Sequence, residues 1–125
     1  DSHDGVYPSA NSMAAWNLIQ LYAFSGQSRF KERFDKLLNL FGAMAQARPG
    51  RLSHFAMAMD MNQQDLKVAV IGPGEWPNQF AKEQSKVFRP YLLWAKGGSG
   101  WPVTLGKENA SAVYVCKSGQ CLAPS

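Results

Sequence analysis

The chain has 125 residues, 46% of them hydrophobic and 18% charged, with a formal net charge of +4, enough apolar content to bury a core without disulfides or metal. Asn17, Gln20 and Ser25 interrupt the longest apolar stretch, so it falls short of the roughly 18 residues of a membrane span. The basic residues, spread from Arg29 to Lys117, are interleaved with Glu32, Asp35, Glu83 and Glu108, which is the pattern of a solvated surface and argues against a nucleic-acid partner.

The chain opens Asp1-Ser2-His3-Asp4 without Met and without a signal-peptide succession, so it is expected to be a piece of a longer polypeptide. The stretch DGVYPSANS, Asp4 to Ser12, predicts a loop that ends in a helix cap, with Ser9, Asn11 or Ser12 as the side-chain acceptor. The helix that follows runs to about Phe24 and leaves almost no polar face, so it expects neighbours on most sides. After Ser25–Ser28, Phe30, Phe34, Leu37, Leu38 and Phe41 recur at helical spacing, and Pro49-Gly50 ends this second helix near Ala47, making an antiparallel hairpin with the first. Leu52 to Met61 reads as a third helix, although Phe55, Met57, Met59 and Met61 alternate as in a strand.

Past Asn62–Asp65 the character changes. LKVAVIG is a short β-branched run bounded by Gly72-Pro73-Gly74 and reads as a buried strand. Trp76 to Phe88 predicts a helix that Pro90 stops, and YLLWAK a second strand, so the order is βαβ-like. A loop over Gly97–Asn109 leads to SAVYVC and CLAP, which flank Lys117–Gln120 as a β-hairpin. The expected fold class is α+β, with a helical segment over residues 1–65 and a small α/β unit over 66–125.

Five features are candidates for chemistry. Asp4, Tyr7, Ser9, Asn11 and Ser12 put a carboxylate, a phenol, hydroxyls and an amide in front of a helix N-terminus; they are read either as a polar pocket for a sugar or other polyol or as plain capping. Cys116 and Cys121 straddle the predicted turn and are open to three readings, as reduced structural thiols, as a cross-strand disulfide, or as a metal or catalytic pair. Two cysteines alone are compatible with a reducing compartment, and the cytoplasm is the expected location. Ile71-Gly72-Pro73-Gly74 departs from a dinucleotide fingerprint because Pro77 stands at its third glycine, so a turn is expected there. His54 with Met57, Met59 and Met61 reads as core rather than a soft-metal site, and Trp76, Trp94 and Trp101 are too scattered to promise a stacking platform. No cofactor and no metal are expected.

Three stretches, DGVYPSANSMAAWNLIQL, KVAVIGP and AVYVCKSGQCLAP, together resemble the spermatogenesis-associated, thioredoxin-domain-containing family of YyaL-like proteins. The family's DGxxPSGNS pattern is met by Asp4, Gly5, Pro8, Ser9, Asn11 and Ser12, with Ala10 where Gly is common, and its CxxxxCxAP pattern by Cys116, Cys121, Ala123 and Pro124. The resemblance implies a parent with a thioredoxin-like domain and an (α/α)6 barrel of the six-hairpin glycosidase type, of which the first helices here would be the last hairpin. It places the Asp4–Ser12 loop at the cavity end of that barrel. The chain alone is then expected to be catalytically silent, with no catalytic residue of its own. Its partners are expected to be the remainder of the parent or a second copy held through the apolar Trp16 helix. A sugar hydrolase needs two carboxylates, and this loop offers Asp4 and, less favourably, Asp1. The alternative is a non-enzymatic scaffold that presents the thioredoxin-like domain to client proteins.

Overall fold

A computed structural model describes residues 3–64 and 66–122. Asp1, Asp65, and Ala123 and Pro124 of the terminal motif lie outside the described residues. Among those described, four α-helices and a four-stranded mixed sheet give an α+β fold, with the helices leading and a β-hairpin at the end. The chain forms two compact units, one of Asp1–Tyr22 and Gln27–Asp65 and one of Ala23–Gly26 and Leu66–Ser125. None of the described helices is long and apolar enough to cross a membrane.

Helix α1 spans Ala10–Ser25, of which the residues through Tyr22 belong to the first unit, together with α2 (Ser28–Ala47) and α3 (Ser53–Gln63). α1 buries Ser12, Ala15, Ile19 and Ala23, whose spacing of three and four residues is one helical face, while Trp16, Leu18 and Leu21 are half-buried. α2 makes its closest helix packing with α3. There Phe34 and Phe55 are fully buried, and the Phe41 ring meets Phe55 edge-on at 6.0 Å, a favoured aromatic geometry. α3 buries Phe55, Ala58 and Met61, continuing a three-residue spacing that starts at the buried Leu52 just before it. The methionines do not share that face. Met61 is core and Met59 half-buried, but Met57 is 48% exposed, because residues two apart on a helix point to different sides.

In the second unit, β1 (Lys67–Ile71), α4 (Glu75–Gln84) and β2 (Leu92–Lys96) form a βαβ arrangement with parallel strands. β3 (Val113–Lys117) pairs antiparallel with β1, and β4 (Gln120–Cys121) with β3, giving the order β2-β1-β3-β4. β1 is central, and Val68, Ala69, Val70 and Ile71 are all buried, as expected of a strand covered on both faces. α4 is shorter than its apolar residues predict. The Ser85 hydroxyl donates to the Lys82 carbonyl and closes the helix, which leaves Val87 52% and Phe88 88% exposed. Ser118 and Gly119 both take positive φ, 50° and 79°, as the mirror-image two-residue turn of a tight hairpin requires. The strands therefore extend to Lys117 and Gln120, one residue closer on each side than the sequence pattern indicates.

Candidate functional site

The Asp4–Ser12 loop is folded around its carboxylate. The Ser9 N–H donates to Asp4 Oδ1 at 2.7 Å and the His54 N–H donates to Asp4 Oδ2 at 2.9 Å. Asp4's own N–H donates to the Arg51 carbonyl at 2.7 Å. Ser9 is the cap of α1, since the Ser12 N–H donates to Ser9 Oγ at 3.2 Å, and the Ser9 hydroxyl donates to Ser12 Oγ at 3.1 Å. Both serines are buried, at 6% and 0% exposure.

One carboxylate thus serves the first turns of two helices. α3 is preceded by Leu52, which has no side-chain acceptor to offer, and His54 is its second residue, so the bond from His54 replaces the missing cap with a residue fifty positions away. A negative charge at two helix N-termini is also favoured by both helix dipoles. Burial pushes the Asp4 carboxyl up, but the Ser9 N–H, the Ser12 hydroxyl and the His54 N–H together outweigh it and hold the group below its usual 3.8. The His54 ring takes no part in the clasp, and its Nδ1 is buried without a hydrogen-bond partner among the described residues.

What the loop presents outward is Tyr7, 81% exposed, beside Val6, 95% exposed. Asn11 is half-buried in the first turn of α1. Of the five loop residues singled out by sequence, the structure therefore gathers Asp4, Ser9 and Ser12 into an inward cluster and leaves Tyr7 facing solvent. His54 was missed as a partner, and its signal was indirect, namely a helix that begins after Leu52 with nothing to cap it.

In the second unit Cys116 and Cys121 are directly paired across the β3–β4 hairpin and joined by a disulfide. Cys116 is 1% exposed and Cys121 half-buried. Gly72 is required by a close backbone approach. Its N–H donates to the Ala112 carbonyl at 2.8 Å, and a Cβ there would lie 2.1 Å from the Ala110 carbonyl oxygen. The parallel register also brings together two tryptophans whose sequence scatter promised no platform. Trp94 of β2 and Trp76 of α4 line one cleft of about 290 Å³. Its floor is Ala69, Leu92, Val113 and Val115, and Phe80, Gln84 and Arg89 complete it. Trp101 goes elsewhere and stacks on Phe24 at 5.3 Å.

No protein-family model matches the chain, and no solved structure matches it. Over 71 residues, 57% of this chain, it is 37% identical to human spermatogenesis-associated protein 20. The mouse and rat proteins of that name are each 35% identical over the same length. The matched stretch spans 9% of the length of each of these relatives. In that stretch the chain is similar to a small part of spermatogenesis-associated protein 20, a much longer protein.

Proposed function

We propose that this chain is the C-terminal part of a protein of the spermatogenesis-associated, thioredoxin-domain type, and that it serves as a non-catalytic wall and brace of a carbohydrate-type pocket. The observation that carries this reading is the engagement of both Asp4 oxygens by backbone N–H groups at the starts of α1 and α3. A glycosidase acid keeps its proton near neutral pH through a raised pKa, whereas Asp4 is held in its charged form. The clasp makes the loop a rigid mount for Tyr7, whose ring offers a sugar an apolar face and a polar tip. The catalytic groups, if the parent is an enzyme, then belong to its other parts.

The test is a sugar and polyol screen by saturation-transfer NMR on the longer protein, with Tyr7→Ala and Asn11→Ala. Tyr7 is exposed, so its loss should weaken sugar binding about tenfold without moving the melting curve. Sugar binding indifferent to both substitutions removes the pocket-wall reading. Asp4→Asn is the poorer control, since it disturbs the clasp itself.

The scaffold reading, in which the chain helps present a thioredoxin-like domain to clients, draws on the apolar side chains that the second unit leaves in solvent, Trp76 at 47% and Phe80 at 42% exposure. A pull-down with the chain that recovers neither the rest of its parent nor a client removes it. Association with the remainder of the parent or with a second copy is part of both readings, and the solution mass of the chain tests the second copy. So is residence in the cytoplasm. Disulfides are rare in that compartment, so a free-thiol count at Cys116 and Cys121 in intact cells tests it.

A further inference from the structure

The sheet face that α4 crosses is apolar along its middle and basic at both ends, with Lys96 in the row of Ile71 and Val113 at the far end. Alternation along the strands places Ala69, Trp94 and Val115 in one cross-strand row, and Lys67, Leu92 and Lys117 in the row before it. Arg89 sits at the Lys67 end, since its carbonyl accepts the Leu92 N–H at 3.2 Å and its side chain lines the cleft. Guanidinium Nη1 donates to the main-chain and side-chain oxygens of Gln84, which orients the group. A guanidinium has five N–H donors, so donors are left for a second acceptor. Arg89 is the one charged residue in the cleft lining, among the described residues.

We propose that this cleft binds a short acidic segment of a partner protein, with one or two large apolar side chains between Trp76, Phe80 and Trp94 and a neighbouring carboxylate on Arg89. Charge complementarity selects the acid, because the apolar floor ends at Arg89 and the exposed Lys67. Position at a sheet edge favours an extended segment. The cleft holds about 290 Å³, room for one or two large side chains. It also lies along β2, which is an edge strand of the described sheet and can pair with an extended chain. The assignment stands on residues of the second unit alone and does not depend on which reading of the parent protein holds.

The experiment is a heteronuclear NMR titration of the whole chain with acetyl-Glu-Leu-Phe-Glu-Glu-amide. Its Lys-Leu-Phe-Lys-Lys and Glu-Ala-Ala-Glu-Glu counterparts serve as controls. The acidic apolar peptide should shift the Ala69, Leu92 and Val115 amides and the Trp76 and Trp94 indoles. Its affinity should exceed that of either control at least fivefold and fall as salt is raised. Arg89→Gln and, separately, the exposed Lys67→Gln should each weaken binding threefold or more while the spectrum away from the cleft is unchanged. Equal binding of the lysine peptide overturns the proposal, as does the absence of shifts at millimolar peptide. Shifts on this face that follow protein concentration alone would assign it to a second copy and also overturn it.

Discussion

Replacing Asp4 by Ala removes the acceptor for two backbone N–H groups at once, from Ser9 at 2.7 Å and His54 at 2.9 Å. Hydrogen bonds to a charged group contribute about 1.5–3 kcal/mol each, which sets an upper bound of about 6 kcal/mol for the pair. Asp4 is only part-buried, so water can replace some of what is lost, and cap substitutions typically cost about 0.5–2 kcal/mol. We expect Asp4→Ala to destabilise the chain by about 2–3 kcal/mol. Asp4→Asn should recover no more than about half of that, because an amide has one oxygen and would set an N–H₂ against the second donor. Urea unfolding gives the free energies if the slope of the transition is unchanged. Amide exchange at Ser9 and His54 then localises the loss, since both sites should open together in the variant. An Asp4→Ala chain within about 0.5 kcal/mol of wild type, the range of a neutral surface change, would refute the clasp.

Further outcomes follow from the packing. Because the Asp4 carboxyl lies below its usual 3.8, its contribution is complete above about pH 4 and is lost as pH falls through the folded-state value; acid unfolding of Asp4→Ala should lack this component in a pH series of melting curves. Breaking the Cys116–Cys121 bridge by reduction should cost about 2 kcal/mol, the loop-closure value for so short a ring, measured as the shift in urea midpoint with and without dithiothreitol. Gly72→Ala should cost about 2–4 kcal/mol in the same assay, since its Cβ would meet a backbone oxygen at 2.1 Å and overpacking is not relieved by a rotamer change. His54→Phe should be neutral or stabilising by about 1 kcal/mol, because it keeps the main-chain donor to Asp4 and removes a buried Nδ1 that has no partner among the described residues.

The α+β class was readable because the hydrophobic period changes where the character of the sequence changes. Phe34 and Phe41 recur at helical spacing, whereas Val68, Ala69, Val70 and Ile71 form an unbroken run that only a strand covered on both faces would carry. The hairpin was readable from Ser118-Gly119, whose turn needs positive φ. Less was readable where long-range partners decide. Val87 and Phe88 look like the end of a helix, but the Ser85 hydroxyl caps α4 before them. The loop's polar residues suggested a pocket, and nothing local revealed that a helix start fifty residues away lacked a cap and would take half of the Asp4 carboxylate. The approach of Trp76 to Trp94 depended on parallel register, which the spacing of the two residues does not encode.

The account turns on Asp4 being a charged structural clasp rather than a proton donor, and the most direct test is the carbon-detected NMR titration of its side-chain carboxyl in the intact chain. The account predicts a midpoint below 3.8 and a carboxylate fully ionised at neutral pH. A midpoint raised toward about 6–7, the range in which a carboxyl acts as a general acid, would contradict the clasp and make the Asp4–Ser12 loop a catalytic candidate.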